Sequence, residues 1–199
     1  SDIRVKHYVC SDLNSGLIDL WNEIISNPSE VSSYYKKLWN ELNVDDNKQR
    51  KKEYFADVRD RYNKEHNPLD FMFIMRTTTN GMPRYNRNGE FNNSFHVTRN
   101  GIIPETFEKT IFEWSNLLKQ NDVKFISCSY EDIKPIENDY MYLDPPYANT
   151  KGMYYGTIDY EKFWNYLRQL PCRYALSFDG KSGDIDNTQN VPKNIYTTH

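Results

Sequence analysis

No stretch of this 199-residue chain approaches the roughly 20 apolar residues that a membrane-spanning helix needs, and its first residues carry no signal-peptide pattern. A cytoplasmic protein without a membrane anchor is expected. Cysteine is scarce: Cys10, Cys128 and Cys172 are odd in number, far apart and outside metal spacing. That argues against a disulfide framework and reads as reduced, mostly buried thiols. His7, His66, His96 and His199 are scattered and form no His/Cys cluster, so no metal is expected. A strong positive charge is also lacking. The formal net charge of −3 argues against a protein that coats DNA without specificity. No internal repeat is visible.

Aromatic residues are plentiful, at 15% with 16 Tyr, enough for both a core and stacking surfaces. The length suits one medium domain, or one domain with a small insertion. Charge is reversed locally. Between Arg76 and Ile103 the charged residues are Arg76, Arg84, Arg87, Arg99 and a single acid, Glu90. Acids gather elsewhere, at Asp45-Asp46 and from Glu137 to Asp139. A basic patch on an acidic body fits a protein that grips phosphate on one face.

Apolar spacing predicts strand–helix alternation at both ends of the chain. Tyr8-Val9-Cys10 reads as a strand ending at Asp12. Leu13, Leu17, Ile18, Leu20, Trp21 and Ile24 recur at helical spacing until Asn27-Pro28. Further helices are expected over 29–42, 48–62 and, opened by Pro68, over 69–75. From Thr77 to Pro104 the helical period vanishes, and Asn80-Gly81 and Asn88-Gly89 signal turns of a loop and hairpin. Phe91 and Phe95 read as hairpin core. Helix returns over 104–120, with Phe107, Ile111, Trp114 and Leu118 on one stripe. Then come a strand over 123–128, a turn at Ser129–Asp132, a strand over 140–143, a helix over 159–170 and a strand over 174–178. Residues 179–194 are rich in Gly, Asp and Asn, and a mobile segment is expected there.

The most informative residues are Asp144-Pro145-Pro146-Tyr147, which follow the apolar run Tyr140-Met141-Tyr142-Leu143. Proline lacks an N–H and fixes φ, so this turn is stripped of donors while its carbonyls remain acceptors. The residue before a proline is held extended, which gives Asp144 and Pro145 a defined pose. An acceptor-rich corner beside a flat ring suits a planar base bearing an exocyclic NH2. As a bare quartet, it is also compatible with a strand-terminating turn whose acid is merely solvated.

The quartet matches the motif of amino-methyltransferases, and with its surroundings the chain resembles the Dam-like class of DNA adenine-N6 methyltransferases. The resemblance runs from about residue 5 to 178. Val9-Cys10-Ser11-Asp12-Leu13-Asn14 with Leu17-Ile18 resembles the segment that holds the cofactor ribose. Arg61-Tyr62-Asn63 and Asn67-Pro68 resemble the lead-in to a target-recognition module. Asn80 to Asn86 and Asn88 to Asn92 resemble its DNA-reading hairpin. Tyr130-Glu131-Asp132 resembles the segment bordering the cofactor adenine.

The resemblance implies an α/β fold: a partial Rossmann-like methyltransferase sheet carrying an inserted helical and hairpin target-recognition module. Residues 1–29 and 105–199 would form the catalytic domain, incomplete at both ends, and 30–104 the DNA-binding insert. The implied cofactor is S-adenosyl-L-methionine and the implied partner double-stranded DNA, with the protein acting as a monomer. Asp12 would accept hydrogen bonds from the ribose hydroxyls, the alternative being a cap for a helix starting at Leu13. Tyr130 and Glu131 would border the cofactor adenine, the alternative being a surface turn. Arg84, with Asn86, Arg87 and Arg99, would contact DNA, the alternative for Arg87 and Arg99 being a solvated surface. Asp144 and the Pro145 carbonyl would accept hydrogen bonds from the two N6 hydrogens of an adenine flipped from the duplex. Pro146 completes the turn, and Tyr147 would stack on the base.

Two features depart from the family pattern. No Gly-x-Gly occurs in the chain, and the closing strands expected after residue 194 are not evident. Thr78-Thr79 also stands where relatives carry larger residues, so no recognition sequence transfers. A cytosine-N4 methyltransferase and a noncatalytic DNA-binding relative are the competing readings. A protein or RNA methyltransferase would usually show Asn in place of Asp144.

Overall fold

The computed structural model describes residues 5–146, 158–177, 180–182, 185–186 and 191–197. It is a mixed α/β chain that separates into two compact units, Ser1–Ser129 and Tyr130–His199.

The first unit begins with β1 (Tyr8–Asp12), which pairs in parallel with β2 (Val123–Ser127), Tyr8 opposite Val123 and Asp12 opposite Ser127. Between them run α1 (Ser15–Ser26), α2 (Pro28–Leu42), α3 (Lys48–Glu65), α4 (Pro68–Thr77) and α5 (Pro104–Gln120). Their boundaries follow local chemistry. The side chains of Asn14, Asn47 and Asn67 accept from backbone N–H groups in the first turns of α1, α3 and α4. Proline opens α2, α4 and α5, where its missing N–H costs nothing. His66, at φ 53°, ends α3 in the left-handed region.

One hydrophobic core runs through all five helices. Leu20, Val31, Tyr35, Val58, Phe73 and Phe107 are each no more than 5% exposed, and Tyr35 stacks on Phe107 with centroids 3.9 Å apart. Residues 30–104 therefore share a core with α1 and α5. The irregular segment 78–103 closes over it by two antiparallel bridges, Thr78 to Phe95 and Tyr85 to Phe91. Phe91 and Phe95 are buried, as expected.

Three expectations need correction. Leu13 lies outside the helix and is exposed, because Asn14 provides the cap and α1 starts at Ser15. Trp114 is 44% exposed, meeting the core only edge-on against Trp21. The thiols are not mostly buried: Cys10 is exposed, and Cys128 and Cys172 are half-buried. Cys10 shares the exposure of the whole of β1, whereas on β2 the Phe125 ring is stacked against Trp21 of α1 at 5.3 Å.

In the second unit β3 (Tyr140–Leu143) and β4 (Arg173–Leu176) pair in parallel across α6 (Tyr160–Gln169), a βαβ unit. Asp159 caps α6 by accepting from the Lys162 N–H. Phe163, Trp164, Leu167, Leu143 and Ile195 form its core. Beyond it β5 (Lys181–Ser182) and β6 (Ile185–Asp186) form a short antiparallel pair. The rest of the 179–194 segment expected to be mobile lies largely outside the described residues. Among the described residues, no helix is long and apolar enough to cross a membrane, and no His/Cys/Asp/Glu group could hold a metal ion.

Candidate functional site

In the first unit Asp12 is the last residue of β1. Ligands of parallel α/β sheets gather at such carboxyl ends. Asp12 is exposed, and its Oδ1 accepts the Asn14 N–H at 2.7 Å. Asn14 is only 8% exposed; its Oδ1 accepts the Leu17 N–H at 3.2 Å while its Nδ2 donates to the Tyr85 hydroxyl at 2.9 Å. Asp12 is thus not the helix cap. It is a carboxylate oriented by one backbone donor and open to solvent, a fit for a pair of ribose hydroxyls.

The basic segment is built by asparagines. Asn93, 6% exposed, accepts the Arg84 N–H at 2.6 Å and donates to the Met82 carbonyl at 2.6 Å. Asn86 Oδ1 accepts the N–H groups of Asn88 and Glu90, and its Nδ2 donates to the Glu90 carboxylate at 2.7 Å. Its amide is engaged within its own turn, and Gly89 completes that turn at φ 79°. From this frame Arg84 and Arg87 project exposed, with no ion-pair partner among the described residues. Arg99 is also exposed, but its guanidinium donates to the Thr78 carbonyl at 3.3 Å.

Behind the hairpin, Arg61 grips Asp70 through two bonds of 2.7 and 2.6 Å, and the Tyr34 hydroxyl donates to the same carboxylate at 2.9 Å. Asp70 is fully buried. Its hydrogen bond holds the Arg61 guanidinium above its ordinary range despite partial burial. This cluster ties α2, α3 and α4 together.

In the second unit Asp144 stands at the carboxyl end of β3 and is exposed, while Pro145 and Pro146 are half-buried. The Ser177 N–H donates to the Leu143 carbonyl at 2.8 Å, so strand pairing runs up to the motif. The Tyr160 hydroxyl donates to the Pro146 carbonyl at 3.4 Å, which anchors the turn to α6. Tyr147 lies outside the described residues. Tyr130 sits in a single 3-10 turn, its ring edge-on to Phe163 at 5.2 Å and to Tyr166 at 5.0 Å. Burial pushes its phenol up from the usual range. Glu131 pairs with Lys162 at 2.9 Å. The Tyr130-Glu131 turn is therefore held by α6 from two directions.

Asn14 and Asn93 escaped assignment from the sequence. So did the role of Asn63, whose side chain both accepts from and donates to the Phe91 backbone. An abundance of asparagine was the one signal, and it marks turns and caps without naming partners.

Comparison with known proteins supplies the identity of the frame. The profile of the D12 class N6 adenine-specific DNA methyltransferases matches residues 2–197. The chain is 25% identical over 194 residues to the type II methyltransferase M.FokI of Planomicrobium okeanokoites, a match covering 96% of the chain and 29% of that protein. It is 30% identical over 153 residues to the type II methyltransferase M.MjaIII of Methanocaldococcus jannaschii, covering 71% and 50%. The DNA adenine methylase of Escherichia coli K12 is 30% identical over 151 residues, covering 72% and 50%. The chain thus spans between 29% and 50% of the length of these relatives. With a profile match across nearly all its residues, the chain belongs to the family of D12 class N6 adenine-specific DNA methyltransferases.

Proposed function

We propose that this chain is part of a site-specific DNA adenine-N6 methyltransferase that acts on a flipped adenine in duplex DNA, as a cytoplasmic monomer. The observation that carries the reading is Asp144 exposed at the carboxyl end of β3, in the Asp-Pro-Pro turn of a parallel βαβ unit. Residues 30–104 serve as the DNA-reading insert of a catalytic domain formed by 1–29 and 105–199.

S-adenosyl-L-methionine, when bound, supplies an electrophilic methyl group on sulfur. Asp12 holds its ribose, and Tyr130 and Glu131 border its adenine; an exposed, oriented carboxylate and a half-buried ring on a fixed turn fit those tasks. Arg84 and Arg87 bind the phosphates or base edges of DNA. Asn86 acts by holding the turn that presents them, and Arg99 adds positive charge nearby.

Base flipping costs a few kcal/mol in lost stacking and pairing, of which Tyr147 recovers part by stacking. Asp144 and the Pro145 carbonyl accept hydrogen bonds from the two N6 hydrogens. This draws the nitrogen lone pair out of conjugation and fixes its direction. As N6 takes the methyl group, leaving S-adenosylhomocysteine, positive charge develops on N6 until one of its protons is released, so the Asp144 carboxylate favours the transition state over the ground state. Holding base and methyl donor in line supplies much of the remaining rate.

The test is mass analysis of nucleosides from duplex DNA incubated with the intact protein and S-adenosyl-L-methionine. N6-methyladenine is expected. Unmodified DNA, or N4-methylcytosine, overturns the proposal.

A further inference from the structure

We propose that the Tyr85 hydroxyl is a positioning contact that couples DNA engagement at the 82–93 turn to cofactor engagement at Asp12, with Asn14 as the link. The inference rests on the functional reading above and adds a residue-level coupling to it.

One side chain does the linking. Asn14 Nδ2 donates to the Tyr85 hydroxyl at 2.9 Å while its Oδ1 caps α1 at the Leu17 N–H. The backbone N–H of the same residue donates to Asp12 Oδ1 at 2.7 Å. A shift of Tyr85 therefore reaches the Asp12 carboxylate through a single residue. Tyr85 itself lies between Arg84 and Asn86, within the segment that presents the unpaired guanidinium groups. Asn14 is 8% exposed, so water does not readily replace the bond.

A second route of packed rings closes the circuit. Tyr85 meets Phe91 edge-on at 5.8 Å, and Phe91 meets Tyr62 edge-on at 6.3 Å. The Tyr62 hydroxyl lies directly under Gly16, in the first turn of α1, where any Cβ would collide with it. The cap of α1 and the DNA-reading turn are thus joined by a hydrogen bond on one side and by rings on the other. Such a closed circuit transmits displacement, because neither route yields freely.

Coupling between two sites is reciprocal: the factor by which duplex tightens cofactor equals the factor by which cofactor tightens duplex. The experiment measures that factor in the intact protein, with S-adenosylhomocysteine as the unreactive cofactor form and a duplex that the protein methylates. Affinities are taken for each ligand alone and in the presence of the other. Tyr85→Phe keeps the ring and removes the hydroxyl. Asn14→Ser keeps a capping oxygen but cannot reach Tyr85. In the wild type the factor is expected to be at least about five. In either variant it should fall by about fivefold, the worth of one neutral hydrogen bond. The double variant should fall no further, since both changes break the same bond.

A factor that survives Tyr85→Phe overturns the inference, and so does a wild-type factor of one. Should Tyr85→Phe fail to fold, Asn14→Ser carries the same test. Failure of the functional reading looks different: the wild type then binds neither S-adenosylhomocysteine nor duplex.

Discussion

The side chain of Asn63 satisfies both backbone groups of Phe91, accepting its N–H at 2.8 Å and donating to its carbonyl at 3.0 Å. Helix α3 thereby holds the irregular hairpin as a neighbouring strand would. Phe91 is 1% exposed, so removing the amide leaves two backbone groups short of partners beside a buried ring. Asn63→Ala is expected to cost about 1–3 kcal/mol. Urea unfolding followed by circular dichroism reads the loss as a lower midpoint at unchanged slope. Asn63→Asp should be no better, because a carboxylate oxygen would then face the Phe91 carbonyl. A loss below about 0.5 kcal/mol, the range of ordinary surface changes, would show that the clamp is incidental.

Gly16 sits in the first turn of α1 against the Tyr62 hydroxyl. Two effects oppose each other in Gly16→Ala. Helix propensity favours alanine by about 1 kcal/mol. The added Cβ, however, would collide with a tyrosine that is 5% exposed and packed against Phe71 and Phe91. Overpacking of that kind costs about 1–3 kcal/mol, and here it wins. The expected result is net destabilisation, with weaker S-adenosylhomocysteine binding because α1 carries the Asp12 corner with it. A Gly16→Ala variant as stable as the wild type, or more so, would contradict this account.

Stability should fall in alkali from a specific source. Burial pushes the Tyr35 phenol up to about 12, and that of Tyr54 likewise to about 12. An unfolded tyrosine titrates near 10. Between those values the folded state binds more protons than the unfolded state, so stability declines as pH rises. The contribution is fully present below about pH 10 and is lost as pH passes through about 12, on the order of 2–3 kcal/mol for Tyr35. The Tyr35 hydroxyl also donates to the Ile102 carbonyl at 2.9 Å and accepts the Ile102 N–H at 2.8 Å. Tyr35→Phe should therefore lower stability at neutral pH yet flatten its alkaline decline. Denaturant midpoints across that pH range separate the two effects, and an unchanged slope would refute the assignment.

What the sequence disclosed depended on whether the signal was local. Helix α5 was legible to its ends because Pro104 opens it and an apolar stripe runs to Leu118. The strand that leads into Asp144 was legible because its apolar residues are contiguous. Side chain–backbone bonds have no period, so Asn63 could not be matched to Phe91, nor Asn93 to Met82 and Arg84. The Arg61–Asp70 pair spans two helices and was invisible for the same reason. Leu13 misled because it fits the apolar rhythm of α1 while standing before its cap. Cys10 misled because a thiol in a strand is usually covered, whereas every residue of β1 is exposed.

The two exposed arginines of the hairpin should differ from Asn86 in kind. Each phosphate neutralised by an arginine steepens the dependence of binding on salt. Arg87→Ala and Arg84→Ala should each weaken duplex binding and reduce the slope of log K against log salt by about 1 where the contact is to phosphate. If Arg84 reads a guanine edge, its loss costs about 1–3 kcal/mol and relaxes specificity at one position. Asn86→Ala should weaken binding by loosening the turn, with little change in salt slope. A slope unchanged in both arginine variants would remove this face from the DNA interface.

Asp144 gives the most direct test of the chemistry. It is exposed at a strand end, in a turn whose φ values are set by two prolines and whose second carbonyl is tied to Tyr160. Circular dichroism and a urea midpoint for each variant separate a loss of fold from a loss of chemistry. Asp144→Ala should lower the rate of methyl transfer by at least about 100-fold, the usual loss when a preorganised charge-stabilising group is deleted. Asp144→Asn is the sharper probe. It keeps the shape and one acceptor, but it loses the charge that opposes positive charge on N6 and presents an NH2 group of its own. It should be nearly as slow as Asp144→Ala, with duplex affinity within a few-fold of wild type. If Asp144→Asn methylates at close to the wild-type rate, acceptor geometry alone suffices and the electrostatic role assigned to Asp144 is wrong.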